Sequence, residues 1–376
     1  MSVRALPLAK ALVRRGHQVT LLLPPWNNRE QEGERWVDEG VTIENVALPP
    51  SIPVGFQSLT SLRLARRVRA LRPDVVHLFK PKAYSGLAHW FLARLPWSQQ
   101  AALVVDTDDW EGPGGWNDIG DYTPLQRRFF AWQERWGLRH GDAVTVVSRT
   151  LESLVWALGV APERVFYVPN GVRDPDLPVR SPSLDEADPF EILLYTRFFE
   201  FSVSRVLNVL LQVRERVPQA KLVVVGKGFF GEEEELLRLA GKMELRDAVA
   251  YLGWVEAEDL PQIFDRVSLA IYPFDDTLIN RSKCAVKLLD LLASGVPVVA
   301  DGVGQNREMI RHGETGLLVR SGGIDAFAES VVRLLEDAPF REQLGQAAAR
   351  DVRARFSWDN LVDRVERAYA EAVGGR

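Results

Sequence analysis

Short β-branched runs alternate with amphipathic stretches along most of the chain, the pattern of parallel strands covered by helices on both faces. A first series of strand candidates falls at residues 18–23, 75–78, 102–105, 143–147 and 165–168. Residues 173–190 interrupt the alternation with a run rich in Pro, Asp and Ser, as a linker does. A second series begins after it, at 191–195, 221–225, 248–252, 269–272 and 296–300. Two α/β domains are therefore expected, 1–175 and 191–357, with a linker at 176–190 and a closing helix at 358–376.

Two helices of the first domain carry unusual faces. Residues 62–71 read as a helix with Leu64, Val68 and Leu71 inward, which leaves its arginines outside. Leu125, Phe129, Trp132 and Trp136 form a helical stripe flanked by Arg127, Arg128 and Arg135. The expectation is that this stripe faces the domain core; a helix lying on a membrane is the alternative.

Composition narrows the class. A chain of 376 residues is too long for one ordinary core, and 46% hydrophobic with 26% charged residues is globular rather than disordered. Net charge is −5, yet residues 51–100 hold eight basic side chains against one acid, Asp74. That basic surface suits an anionic acceptor or the headgroups of an acidic membrane. Nucleic acid is not an expected partner, because no recognised binding module accompanies the charge and the whole chain is acidic. Cys284 is the only cysteine, which excludes an intramolecular disulfide. With no apolar run of membrane-spanning length and no signal peptide, a cytoplasmic location is expected, with peripheral contact to the inner face of an anionic membrane as an extension.

The densest chemistry lies in residues 280–310, NRSKCAVKLLDLLASGVPVVADGVGQNREMI. Lys283, Lys287, Asp290 and Ser294 come at spacings of four, three and four, one face of a helix, while Leu288, Leu289 and Leu292 cover the opposite face. The helix should stop at Gly295, and an apolar strand and a loop at Gly304 should succeed it. Lys283 is placed in the first turn, where the helix dipole already favours an anion, and Ser282 before it as an N-cap. Lysines there, with a carboxylate two turns on, make a candidate site for a phosphorylated nucleotide.

This segment resembles the retaining nucleotide-sugar glycosyltransferases of family 4 (group 1), and the likeness spans nearly the whole chain. In that family a Glu, seven residues, Glu motif precedes a small-residue helix end and a Val-Pro-Val-Val strand; Asp290 matches the second acid, and residues 295–300 match the helix end and strand. Ser282 stands where the first glutamate would be. The resemblance implies a GT-B fold: α/β, two Rossmann-like domains facing a central cleft, with the closing helix crossing back to the first. It implies transfer from a nucleotide-diphosphate sugar, with retention and without a metal or other cofactor, to a glycan, lipid-linked or small-molecule acceptor.

Residue by residue, Arg197 after the strand ILLYT matches the arginine that reaches the donor diphosphate. Its usual lysine partner is replaced by Ser202, which leaves Lys283, Lys287 and Arg205 as candidates to neutralise phosphate, Lys283 first. Arg197 and Lys283 are thus the catalytic candidates. Trp254 and Val255 match the loop beside the nucleotide base; Asp290 implies ribose contact, and Gly304 lies in the donor loop. Asp108 takes the place of a histidine near the donor sugar, and Lys80, Lys82 and Tyr84 lie just past another strand end, where ligands gather in open α/β sheets. Asp275 and Asp276 are candidates to replace the lost glutamate. Residues 1–25 match the family's first helix and second strand, so the first domain lacks its expected opening strand and Gly-rich turn, and a start assigned too far downstream is the favoured explanation.

Other chemistries are weaker. Asp106-Thr107-Asp108 has the form of a metal-binding Asp-x-Asp, but that belongs to glycosyltransferases without a second Rossmann half; a haloacid dehalogenase motif is spoiled by Trp110. A sugar-nucleotide epimerase shares the two-domain architecture. A degenerate, non-catalytic nucleotide-sugar-binding protein is suggested by Ser282, Ser202 and the absent strand.

Overall fold

The computed structural model describes residues 3–50, 55–94, 101–172, 179–180 and 190–375. The linker at 176–190 lies almost wholly outside these residues. The chain divides into two compact units: an N-terminal one of Met1–Gly171, Ser282–Cys284 and Trp358–Arg376, and a C-terminal one of Val172–Arg281 and Ala285–Ser357.

The N-terminal unit opens with α1 (Ala5–Arg14), β1 (Thr20–Leu23) and a hairpin of β2 (Arg35–Asp38) and β3 (Val41–Asn45). It continues with α2 (Phe56–Leu71), β4 (Val75–Phe79), α3 (Ala83–Arg94), β5 (Ala102–Thr107), the short α4 (Trp116–Ile119), α5 (Pro124–His140), β6 (Ala143–Val146), α6 (Arg149–Ala157) and β7 (Val165–Tyr167). Among the described residues its strands form two sheets, β1-β3-β2 and the wholly parallel β4-β5-β6-β7. No described strand precedes α1, and β1 and β4 are both edge strands. The strand pattern of the sequence does not include this hairpin. Its signals are a Glu39-Gly40 turn with both φ positive, at 45° and 84°, and alternation of buried Val41 and Ile43 with outward Thr42 and Glu44.

The C-terminal unit comprises β8 (Glu191–Tyr195), α7 (Val203–Arg216), β9 (Lys221–Val225), α8 (Glu232–Lys242), β10 (Val249–Gly253), α9 (Leu260–Arg266), β11 (Leu269–Tyr272), α10 (Leu278–Ser282), α11 (Val286–Ala293), β12 (Val298–Asp301), α12 (Asn306–Met309), β13 (Leu317–Val319), α13 (Ile324–Glu336) and α14 (Ala338–Arg355). One six-stranded parallel sheet, β10-β9-β8-β11-β12-β13, carries them. Its strands are near-continuous apolar runs because helices cover both faces. Leu194, Leu222 and Ile271 of the sheet meet Val206, Leu210 and Val213 of α7 and Val331 of α13 in one core. The last helix, α15 (Trp358–Gly374), belongs to the N-terminal unit, where Leu361, Val362 and Val365 pack on Leu8, Ala11 and Leu12 of α1.

α5 reverses the expectation for its aromatic stripe. The buried residues are Phe130, Gln133, Glu134, Gly137 and Leu138, whereas of the stripe Leu125 is 79% exposed and Trp132 39%, with Phe129 and Trp136 half-buried at its border. Polar partners decide the face. Gln133 Oε1 accepts from the Ala83 N–H at 3.0 Å and its Nε2 donates to the Ala83 carbonyl at 3.2 Å, while Glu134 Oε1 accepts from the Glu111 N–H at 2.9 Å. Gly137 lets the helix come close: a Cβ there would sit 3.0 Å from Pro81 Cβ.

α2 keeps Leu64 in the core, as the pattern required. Arg67 pairs with Glu44 and Arg63 donates to the Ala47 carbonyl, while Arg66, Arg69 and Arg72 are exposed.

Candidate functional site

The C-terminal sheet has a topological switch. From β8 the chain runs outward through β9 and β10, then returns to the other side of β8 with β11, β12 and β13. The connections after β8 and β11 therefore leave in opposite directions, the arrangement at which open α/β sheets take ligands outside the carboxyl ends of their strands. Because every strand is parallel, the segments after β8, β9, β10, β11 and β12 share that edge. They carry Arg197, Gly226, Trp254, Asp275 and Gly304.

Arg197 is exposed two residues beyond β8, its guanidinium 5.8 Å from the Phe229 ring. Gly226 must be glycine: at φ 128° a Cβ would lie 1.9 Å from the Thr196 carbonyl oxygen. Its N–H donates to the Gly253 carbonyl at 2.8 Å, and the Thr196 N–H to the Val225 carbonyl at 3.0 Å, so the three strand ends are stitched together. Trp254, 60% exposed, donates Nε1 to Glu256 at 2.9 Å, with Val255 half-buried beside it.

α11 brings the second set of residues to the same edge. Lys287 Nζ sits 3.5 Å from the Tyr195 ring centroid and 6.0 Å from that of Trp254. The cation thus meets the end of β8 two residues before Arg197. Leu288, Leu289 and Leu292 are buried as the spacing required. The stop at Gly295 is a Schellman turn: at φ 77° its N–H donates to Leu292 and the Val296 N–H to Leu291, both at 3.0 Å. Asp290 is half-buried one turn beyond Lys287. Gly304, at φ 49°, passes so close to Arg281 that a Cβ would stand 2.6 Å from its carbonyl oxygen.

Lys283 is not in the first turn of this helix, and Ser282 is not its N-cap. α10 ends at Ser282, α11 begins at Val286, and its N-cap is Ala285. The break comes from hydrogen bonding within the N-terminal unit, to which Ser282–Cys284 belong. Ser148 Oγ donates to the Ser282 carbonyl at 2.5 Å, and Asn170 Nδ2 to the Cys284 carbonyl at 3.0 Å. Lys283 is half-buried in that segment, so it groups with the N-terminal unit and Arg197 with the C-terminal one. Cys284 is buried, its sulfur accepting from the Asn170 N–H at 3.2 Å.

Three further candidates are tied up in ion pairs. Arg205 is buried and held by Asp275 and Asp301, and Asp301 also accepts the Phe274 N–H at 2.7 Å. Asp276 pairs with Arg281 at 2.5 Å. These groups shape the loop after β11, and residue spacing carries no sign of the Arg205 pairing.

In the N-terminal unit, Lys80 reaches Asp109 at 2.7 Å and Asp108 at 3.6 Å. Burial pushes the Asp108 carboxyl up to about 6, against the pull of Lys80 and with Asp109 and Asp106 adding to the rise. Its Oδ1 is enclosed and accepts no hydrogen bond. Lys82 turns inward, paired with Glu111, 3.0 Å from Asn117 and over the rings of Tyr122 at 4.5 Å and Phe130 at 4.7 Å. Tyr84 packs edge-on against Phe56. Lys80 and Asp108 are thus brought together, whereas Lys82 and Tyr84 point elsewhere. Asp106 is fully buried: Arg4 grips it with Nε and Nη2, and Thr145 donates to it at 2.6 Å.

Two family models match the chain: a glycosyl transferase 4-like domain over residues 1–171 and glycosyl transferases group 1 over 191–337. An uncharacterized glycosyltransferase of Methanocaldococcus jannaschii is 23% identical, the match taking in 99% of this chain and 94% of that protein. The D-inositol 3-phosphate glycosyltransferase of Stackebrandtia nassauensis is 26% identical over all of this chain and 87% of its own length. Among solved structures, Anabaena HepE in complex with UDP and glucose superposes with a TM-score of 0.69 at 18% identity, over 96% of this chain and 94% of that one. Sheet topology, the two family matches and the structural likeness agree, and the chain belongs to the group 1, family-4-type glycosyltransferases with the GT-B fold.

Proposed function

We propose that this chain is a cytoplasmic hexosyltransferase that moves a sugar from a nucleotide-diphosphate donor to an acceptor hydroxyl, with retention of configuration and without a metal. The observation that carries the donor assignment is the approach of Lys287 to Tyr195 and Trp254 at the switch point of the C-terminal sheet. It gathers cationic and aromatic groups from β8, β10 and α11 where a base and a diphosphate can be held. In this reading Trp254 and Val255 border the base, Asp290 accepts ribose hydroxyls, and the Gly304 loop admits the phosphates. Arg197, Lys283 and Lys287 supply positive charge where the departing diphosphate gains negative charge. As the bond from the anomeric carbon to the phosphate oxygen breaks, the acceptor oxygen attacks the same face and its proton passes to the leaving phosphate. No side chain then has to serve as a covalent nucleophile.

On the N-terminal unit, Lys80 and Asp108 are assigned to hydroxyls of sugar or acceptor, the latter a glycan, lipid-linked or small molecule. Lys82 and Tyr84 are assigned to holding the loops from which these groups project. A second reading, a protein that binds the donor without turning it over, draws on Ser282, which is buried where the family carries a glutamate.

A thermal-shift series with nucleoside diphosphates and their sugars tests the donor site, since a ligand specific to the folded state raises apparent stability. One nucleotide should raise the melting temperature, and Arg197→Ala should diminish that shift. No response to any of them would remove the donor assignment. Release of nucleoside diphosphate from the stabilising sugar, lost in Lys283→Ala with folding intact, separates the transferase from the binding protein; binding without release favours the latter.

A further inference from the structure

The outward face of α5 takes no part in the transfer proposed above. Its rings stack into a ladder, Phe129 on Trp132 at 5.7 Å, Trp132 on Trp136 at 6.2 Å and Trp136 on His140 at 4.4 Å; Trp132 and His140 are exposed, while Phe129 and Trp136 are half-buried, Trp136 resting on the buried His89 at 5.0 Å. Leu125 continues the row at the start of the helix and is the most exposed large apolar side chain described, at 79%. The helix is 17 residues long, about 25 Å at the usual rise. Trp156 of α6, 41% exposed, lies two residues before Leu158, whose carbonyl accepts from Arg139 Nε at 2.7 Å. A further indole therefore stands near the C-terminal end of the row.

Charge on this face has one sign. Arg128, Arg135 and Arg139 are exposed and come at spacings of seven and four, which sets them along one flank of the aromatic row. Arg127 turns away, donating to the Tyr122 and Gly120 carbonyls. The only acid within α5 is Glu134, buried on the opposite face. The exposed surface of the helix is therefore apolar along its middle, cationic along one edge and free of carboxylates, although the chain as a whole carries −5.

A leucine at one end, indoles along the row and an arginine edge are what the interface of an anionic bilayer accommodates. Amphipathic rings settle at headgroup depth, and guanidiniums meet lipid phosphates while their stems stay in apolar surroundings. We propose that α5 docks the N-terminal unit on an anionic lipid bilayer, lying in the plane of the interface with its aromatic row toward the acyl chains. The proposal rests on the exposure and charge of α5 alone and stands whatever the C-terminal unit binds.

The test is flotation of the full chain with vesicles of phosphatidylcholine alone and of phosphatidylcholine mixed with phosphatidylglycerol. The protein should float with the anionic vesicles, much less with the neutral ones, and salt should weaken the association. The triple variant R128E/R135E/R139E should lower partition roughly a hundredfold, and L125S/W132S at least about tenfold. These side chains are exposed, so both variants should stay folded and keep the wild-type nucleotide response, the triple variant giving up only the bond from Arg139 to the Leu158 carbonyl. Failure of the wild type to float with anionic vesicles overturns the proposal, as does unchanged flotation of the two variants. A wild-type dimer that L125S/W132S turns into a monomer, with no lipid binding by either, would assign the face to a second copy of the chain instead.

Discussion

Arg4 and Asp106, 102 residues apart, form a two-pronged ion pair in the core of the N-terminal unit, Nη2 to Oδ1 at 2.6 Å and Nε to Oδ2 at 2.8 Å. Asp106 is wholly buried and the Arg4 side chain 7% exposed. Burial opposes ionisation of the carboxyl, but Arg4 and the Thr145 hydroxyl outweigh it and hold Asp106 below the ordinary carboxylate range. The same carboxylate neighbours His77, which burial depresses to about 4 and which hydrogen-bonds Thr145 and Tyr369. One pair thus anchors α1 to β5 and, through Thr145, to β6.

Breaking one side of a buried pair leaves the other charge uncompensated, which typically costs about 3–5 kcal/mol. Arg4→Met and Asp106→Leu should each lower unfolding stability by that order in urea titrations. The double variant Arg4→Met/Asp106→Leu should recover most of the loss, because an apolar pair carries no unpaired charge. Additive losses in the double variant would contradict the pairing.

Lys287 should matter for donor binding more than for folding. A hydrogen bond to a charged group contributes about 1.5–3 kcal/mol, so Lys287→Met should weaken binding of the stabilising nucleotide sugar roughly 10- to 150-fold by calorimetric titration. The apolar stem is kept, so the melting temperature should move little. An unchanged dissociation constant would remove this residue from the donor site.

The role proposed for Asp108 should give the activity an acid limb. Its carboxyl is raised to about 6, so the ionised form proposed to accept sugar hydroxyls is depleted as pH falls through that value. For the wild type, kcat/KM should decline below about pH 6. Asp108→Asn should lose roughly 10- to 150-fold at neutral pH, in line with loss of one charged hydrogen bond, and show no such limb. A shared limb in both proteins would place the titration elsewhere.

Glu134 makes stability depend on pH in the opposite sense to a salt-bridged carboxylate. Burial raises its carboxyl to about 8, only partly offset by the Glu111 N–H. Because the folded pKa lies above the unfolded one, the folded form binds the extra proton. The contribution is complete below the unfolded value, near 4.5, and is lost as pH rises through about 8. Glu134→Gln should flatten the decline in melting temperature between pH 5 and 8, gaining about 2–4 °C for each kcal/mol recovered at the alkaline end. Parallel profiles for the two proteins would rule the group out.

What the linear chain determined by itself was local. Apolar runs at 191–195, 221–225 and 269–272 became strands with those bounds, because a strand buried on both faces needs nothing but continuous apolar character. α11 stopped at Gly295 because only glycine readily adopts the left-handed turn there. Leu288, Leu289 and Leu292 went inward because helical periodicity left them one face. Tertiary structure decided what depends on distant partners. α5 buries Gln133 and Glu134 and leaves Leu125 and Trp132 of its aromatic stripe outside because Ala83 and Glu111 offer hydrogen bonds there, and buried polar groups cost more unmet than exposed rings do. Lys283 left the helix because Ser148 and Asn170 engage the carbonyls beside it. The Arg4–Asp106 pair, the inward turn of Lys82 and the approach of Lys287 to Tyr195 all join residues from different elements. Periodicity reports which face a side chain occupies on its own element; which charge meets which is settled only when the sheet orders its strands.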